Sequence, residues 1–367
     1  MPRSILDARV CIYNIGRPGL RWEPSAHNIS HEGIMIQENV LGIDVSAATL
    51  AVVIQRGKRR YPVAIFDNDP VGHRKLIQWA TKGGKHARVG VEATGVYSLD
   101  LTLALHHHPK IEVMVINPRA SRNFAGAMMK RAKTDPVDAE VILEFVLRMP
   151  FVGWSPPCEE VLQLQAITRR IYQLKKALNR EENRLHADTH RQALGAIITT
   201  DIEVNIRHLE RRITRLEQQG LALIASVPEL EAKLQHLISA KGIAEASGLR
   251  LLAEVLVLPD DLGPEQWVAQ SGLDPRPRES GTSVHRPRFI SKAGNKYLRA
   301  ALYMPALVAI QHQPNVKAFY EKLIAAGKLP MQAIVAVMRK LLRCIWAMLK
   351  YGQDFEGEKE AVAGPVE

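Results

Sequence analysis

Between Val40 and Met149 the apolar residues come as short β-rich runs in one particular order. LGIDVS, LAVVIQR and YPVAIF follow one another closely and read as strands joined by tight turns. VGHRKLIQWATK then reads as a helix, ARVGVEA as a strand, YSLDLTLALHHH as a helix and IEVMVIN as a strand. Helices over Ala120–Met129 and Asp135–Leu147 close the series. A β-β-β-α-β-α-β-α order fits an α/β fold, a mixed sheet with helices on its faces.

Four carboxylates fall at informative places in this pattern. Asp44 and Glu92 lie at or near the ends of two strand-like runs, while Asp135 and Asp138 stand i, i+3 at the start of a helix and can face the same way. One acid from each of two strands plus a helical pair is how a ribonuclease-H-like sheet gathers oxygen ligands for Mg²⁺. Two such ions can stabilise the attacking and the leaving oxygen of a phosphoryl transfer. Each acid also has a plainer reading. Asp135 precedes Pro136 and could be an N-cap, Asp138 suits the positive end of a helix dipole, and Asp44 could close a strand in a turn. Glu92, inside the run Val-Gly-Val-Glu-Ala, needs a partner if it is buried.

The 49 Lys and Arg against 38 Asp and Glu leave a net charge of +11, which suits a polyanionic partner. The basic residues cluster. Arg119, Arg122, Lys130, Arg131 and Lys133 lie between Ile116 and Thr134 with no acid among them. Such a strip beside a metal site could track a nucleic-acid backbone, or be a solvated helix face. Arg276, Arg278, Arg286, Arg288, Lys292, Lys296 and Arg299 form a second group, interrupted by one acid, Glu279. Embedded in it is Ser280-Gly281-Thr282-Ser283. A hydroxyl among guanidinium groups can attack a phosphorus whose non-bridging oxygens are neutralised, or can simply hydrogen-bond a phosphate. Residue chemistry leaves Ser280, Ser283, Tyr297 and Tyr303 open as nucleophiles.

Pro156 and Pro157 mark a boundary. Beyond it, Leu164, Ile167, Ile171, Leu174, Leu178 and Leu185 keep a mostly 3-4 spacing, as do Ile202, Ile206, Leu209, Ile213 and Leu216. These predict two heptad-like, coiled-coil helices, either a hairpin packed on its own domain or an oligomerisation arm. HLISAKGIAEASGLRLLAEV resembles a helix-hairpin-helix whose turn, Gly242-Ile243-Ala244, lacks the second Gly. Residues 1–38 show no periodicity, and Met35 offers an alternative translation start. Cys11, Cys158 and Cys344 form no CxxC and suggest a reducing compartment. No apolar run approaches a membrane span, so a cytoplasmic location is expected. His106, His107 and His108 are adjacent and diverge around a helix, which makes a poor metal site.

GIDVS, GVEATGVY, VINPRASRNFA, AKTDPVDAEVI, GLDPRPRESGTSV and ISKAGNKYLRAALYMPALVA, in that order, resemble the DEDD transposases of the insertion-sequence one-ten family. The resemblance runs from about Val40 to Gly352. It implies a RuvC-like domain over 39–150, a linker and coiled-coil helices over 151–225, and a mostly helical C-terminal transposase domain over 226–352. The N-terminal extension, 1–38, and an acidic tail, 353–367, lie outside it. It further implies that Asp44, Glu92, Asp135 and Asp138 hold Mg²⁺ and that Ser280 is the catalytic serine. It implies donor and target DNA and a structured bridge RNA as partners. A tetramer, in which acids and serine come from different protomers, would complete the site. The long N-terminal extension and the degenerate hairpin turn depart from the family pattern. A RuvC-like endonuclease using water, or an inactive RNA-binding protein, is the alternative.

Overall fold

In this computed structural model the described residues are 39–93, 95, 97–129, 134–188, 196–276, 279–280, 284–285 and 289–355. The N-terminal extension and the acidic tail beyond Phe355 lie outside them. The chain divides into two compact units between Pro156 and Pro157.

The first unit is a six-stranded mixed sheet with helices on both faces. Strands β1 (Asn39–Val45), β2 (Thr49–Arg56), β3 (Arg59–Arg60) and β4 (Ala64–Asp67) lead into helix α1 (Pro70–Ala80). Then follow β5 (Ala87–Glu92), α2 (Leu99–His106), β6 (Ile111–Ile116), α3 (Pro118–Ala127) and α4 (Asp135–Arg148). The sheet order is β3-β2-β1-β5-β6, with β4 also paired to β2. β1 runs antiparallel to β2 and parallel to β5, which runs parallel to β6.

The alternation of side chains along a strand decides which helix meets which residue. Leu41, Ile43 and Val45 of β1 share a core with Leu50, Val52, Ile54, Val89 and Val91, and with Leu76 of α1 and Leu101 and Leu105 of α2. Ala51 and Val53 point the other way, onto Ala139 and Leu143 of α4. Met114 and Ile116 do the same for Ile142, Phe145 and Val146. Burial on both faces explains why these strands read as continuous apolar runs.

The second unit is helical. Two helices of 30 residues each, α5 (Glu159–Asp188) and α6 (Ala196–Ala225), pack on one another. Thr199 Oγ1 donates to Asp188 Oδ2 at 2.7 Å and Lys175 Nζ to Glu217 at 2.9 Å, so the helices run antiparallel. Leu164, Ile171, Leu174, Leu209 and Ile213 are buried in the same core as α7 (Pro228–Ser239), α8 (Glu245–Val255) and α9 (Pro264–Ser271). The hairpin is therefore rooted in the second unit, while Ile197, Ile198 and Val204 near its far end are exposed. Beyond α9 come four two-residue strands, β7 (Pro275–Arg276), β8 (Glu279–Ser280), β9 (Val284–His285) and β10 (Phe289–Ile290). Helices α10 (Lys296–His312), α11 (Pro314–Ala325) and α12 (Pro330–Tyr351) complete the unit.

Gly242, in the α7–α8 turn, has φ +107°, and a Cβ there would stand 2.7 Å from the Pro305 carbonyl oxygen of α10. Both its conformation and the close approach of α10 require glycine. Packing inside the unit thus accounts for the one glycine the turn retains.

Candidate active site

Ile43 of β1 pairs with Val91 of β5 in parallel register. Asp44 and Glu92 are each the next residue, so they occupy matching positions on one face of the sheet. Asp44 remains paired with Ala51 of β2, and Glu92 with Ile116 of β6. Two residues earlier on the same face, Gly42 pairs with Gly90. A Cβ on Gly42 would overlap the Leu143 nitrogen and the Ala139 oxygen of α4, and a Cβ on Gly90 would overlap Val146 Cγ2. The missing side chains let α4 lie on the sheet at backbone contact. The helix runs against β1, so its first turn, with Asp135 and Asp138, comes over the acids at the strand ends.

Asp44 registers this gathering. Its carboxyl is pushed from the ordinary 3.8 up to about 6, first by burial and then by the negative charges of Asp138, Asp135 and Glu92. A hydrogen bond from the Val45 backbone pulls the other way. Like charges held together in a partly desolvated place retain a proton or attract a cation. The donor set is all carboxylate oxygen, which fits a hard divalent ion, and such an ion needs only one or two carboxylates when waters and substrate phosphates supply the rest. Among the described residues no three acid, His or Cys side chains form a ready-made metal cage. The acids feel one another's field without closing a cage.

Thr134 occupies the N-cap position of α4 without a capping hydrogen bond from its side chain, and Asp135 is the first helical residue, so Asp135 is not the cap. Arg119 and Arg122 are exposed on α3. Lys130, Arg131 and Lys133 lie outside the described residues. The signal that sequence reasoning passed over is a repeated spacing, Gly42-Ile43-Asp44 and Gly90-Val91-Glu92. In each, a glycine two residues before the acid makes room for the helix.

In the second unit the strand pairs nest. Pro275 pairs with Ile290, Arg276 with Phe289, Glu279 with His285 and Ser280 with Val284. Ser280 belongs to the innermost pair described. Ser283, Arg278, Arg286 and Arg288 lie outside the described residues, and Arg276 is described only through its backbone pairing. The base of this ribbon is tied down. Lys292 N–H donates to the Gly272 carbonyl at 3.0 Å, Asn295 N–H to that of Gln270 at 2.7 Å and Ser291 N–H to that of Asp274 at 2.8 Å. Asn295 caps α10 through Oδ1, and its Nδ2 donates to Glu254 at 2.6 Å. Glu254, only 2% exposed, also accepts two bonds from Arg169, at 3.0 and 3.1 Å.

This arrangement places the remaining candidates. Arg299, expected on a nucleic-acid track, donates through Nη1 to the Ser271 carbonyl at 2.7 Å and the Gly294 carbonyl at 3.2 Å, stapling α10 to the end of α9. Tyr297 lies 4.8 Å beneath the Arg169 guanidinium and edge-on to Tyr172, while Tyr303 packs on the helical core. Lys292 and Lys296 are exposed beside the ribbon.

Residues 41–189 match a family model described as Transposase, and residues 234–321 match one described as Transposase IS116/IS110/IS902 family. An acid-bearing mixed sheet followed by a helical unit with a basic ribbon is thus the frame of a transposase, an enzyme class that cuts DNA. Within that class, the chain belongs to the IS116/IS110/IS902 family. It is 30% identical over 331 residues to the pilin gene-inverting protein of Moraxella lacunata, spanning 88% of this chain and 98% of that protein. Against the pilin gene-inverting protein of Moraxella bovis it is 27% identical over 326 residues, with the same shares covered. It is also 26% identical over 170 residues to an uncharacterized 43.6 kDa protein of insertion element IS110 from Streptomyces coelicolor, spanning 44% of this chain and 41% of that protein.

Proposed function

We propose that this protein is a DNA recombinase of a mobile element that cuts and rejoins strands through Ser280, assisted by the carboxylates of its RuvC-like, ribonuclease-H-like sheet. The observation that carries the reading is the environment of Asp44, where burial first, and then three other acids from two further elements, push one carboxyl up to about 6. Such an arrangement costs stability and is expected where charge is to be used. Asp44, Glu92, Asp135 and Asp138 would hold Mg²⁺, which, when bound, neutralises phosphate charge and stabilises the oxygens entering and leaving phosphorus. The Ser280 hydroxyl attacks the phosphorus and gives up its proton. The new Oγ–P bond replaces the P–O3′ bond, the 3′ oxygen leaves as a hydroxyl, and a 5′-phosphoserine remains. Reversal by a 3′-hydroxyl of another strand restores the diester, so no nucleotide cofactor is consumed.

Arg119, Arg122, Lys292 and Lys296 suit backbone contacts, which position nucleic acid and carry no sequence information directly. Sequence choice would then come from base pairing with a bridge RNA. The names of the Moraxella relatives, pilin gene-inverting proteins, accord with exchange of DNA segments rather than simple nicking. The acids and the serine stand in different compact units. In an oligomer, proposed as a tetramer, the acids of one protomer can serve the serine of another.

A suicide DNA substrate tests the chemistry. Wild type should form a covalent protein–DNA adduct and Ser280→Ala none; an adduct with Ser280→Ala moves the nucleophile elsewhere, and nicked DNA without any adduct favours water. Mixing Ser280→Ala with Asp44→Asn should restore some activity if the site is shared between protomers. Mixtures that assemble and bind DNA yet stay inactive refute the sharing.

A further inference from the structure

The loop after Asp44 and the loop after Glu92 are far apart in sequence, yet one side chain touches both. Asn68 Nδ2 donates to the Ser46 carbonyl at 2.8 Å and to the Tyr97 carbonyl at 3.1 Å. Its own backbone N–H donates to the Ala48 carbonyl at 2.9 Å. Ser46 is two residues from Asp44, and Tyr97 lies between Glu92 and α2. Asn68 itself lies just past β4, whose last residue, Asp67, is so close to Gly72 of α1 that a Cβ on Gly72 would overlap the Asp67 carbonyl.

His73, on α1 and 5% exposed, completes the arrangement, its Nε2 lying 2.8 Å from Asn68 Oδ1. Two carbonyl acceptors on one side of the amide demand its NH₂ there, which leaves Oδ1 facing His73. His73 must then carry its proton on Nε2. The two carbonyls fix the amide's orientation, and the amide in turn fixes the His73 tautomer. Ser46 is held from the other side as well, its Oγ donating to the Thr49 carbonyl at 2.8 Å. On the second loop, Thr102 Oγ1 anchors the Ser98 carbonyl at 2.6 Å.

We infer that Asn68 is a positioning residue for the carboxylate site: it clasps the two strand-end loops so that Asp44 and Glu92 keep the spacing a divalent cation requires, and His73 sets the clasp. This rests on the reading of the four acids as a cation site. The side-chain bonds of Asn68 run to Ser46, Tyr97 and His73, so it acts through the backbone at Ser46 and Tyr97. Groups that fix ligands from behind usually change metal affinity about 10- to 100-fold when removed.

The test is Mn²⁺ binding by the full chain, followed by paramagnetic resonance of the free ion, alongside the Mn²⁺ dependence of DNA cleavage. Asn68→Ala should raise the half-saturating Mn²⁺ concentration about 10-fold. The matched control is Asp69→Ala, which removes the neighbouring cap of α1, where Asp69 Oδ1 accepts from Val71 and Gly72 N–H at 2.9 and 2.7 Å. It should lower the melting temperature without moving the Mn²⁺ requirement. His73→Leu should weaken binding, and His73→Gln, which still offers an N–H near the same place, should restore most of it. If Mn²⁺ binds equally to wild type and Asp44→Asn, the cation site itself is wrong. If binding depends on Asp44 but Asn68→Ala matches Asp69→Ala, the clasp is wrong. If Asn68→Ala does not fold, the two His73 variants decide, and equal Mn²⁺ requirements for both overturn the proposal.

Discussion

Removing the charge from Asp44 should stabilise the metal-free protein at neutral pH. The rise from 3.8 to about 6 in the folded state corresponds to about 3 kcal/mol at 1.36 kcal/mol per pH unit. Asp44 is only half-buried, and solvent screening reduces this to about 1 kcal/mol. The sign follows from a folded-state pKa above the unfolded one. The contribution is fully present below about pH 4 and is lost as pH rises through about 6. Asp44→Asn, which never ionises, should match wild type near pH 4 and exceed it by about 1 kcal/mol at pH 7.5. In a unit of this size that is about 4 °C of melting temperature. Thermal unfolding in EDTA at pH 4.5, 6 and 7.5 measures it, and added millimolar Mg²⁺ should raise wild type more than the variant. If the variant is less stable at pH 7.5 without metal, Asp44 is held by favourable contacts and the reasoning fails.

Gly42→Ala should cost at least 2 kcal/mol in urea unfolding, because the new methyl meets the backbone of α4 rather than a yielding side chain; a change under 0.5 kcal/mol would deny the close approach. Glu254→Ala leaves Arg169 and Asn295 without their buried acceptor and should cost about 3 kcal/mol, read as a drop in denaturant midpoint. Burial alone would raise the Glu144 carboxyl, but bonds from Arg60 and Arg148 outweigh it and hold it low. Its contribution is therefore present above the ordinary carboxylate range and lost as acid protonates it, so Glu144→Gln should lose more stability at pH 6 than at pH 3. Ile171 is fully buried within its own chain, so Ile171→Glu should unfold the second unit whatever the assembly; Ile198→Glu, at the exposed end of the hairpin, should leave melting unchanged and change sedimentation only if that end contacts another copy.

Much of the first unit was legible because its strands are short β-rich apolar runs bounded by turns, and α1 and α3 begin at capping side chains. The sequence pattern places the start of α3 two residues late, at Ala120, although Asn117 followed by Pro118 is a cap followed by a proline at the first helical position. Asp44 and Glu92 could be put on strands from pattern alone. Their shared register could not, because which strands are neighbours is a property of the sheet order. Glycines at positions 42 and 90 were visible but uninterpreted, since a missing side chain announces nothing until its neighbour is known. Asn68 was beyond reach for a similar reason: its partners lie 22 and 29 residues away on different loops. The long helices were read from heptad spacing, but the same spacing serves a seam closed within the chain or between chains. Only the burial of Leu164 and Ile171 in the unit's own core distinguishes the two at that end of the hairpin.

The paired glycines beneath α4 make the gathering of the four acids depend on an absence. A designer who moved the four acids to another sheet, each on its proper element, would still fail if alanine stood where Gly42 and Gly90 stand. The helix would ride one methyl higher and carry its two acids away from the strand acids, with every charged residue correctly chosen. Variation in this protein is thus constrained at two positions that carry no side chain, and the reason lies in the helix packed over them rather than in the acids.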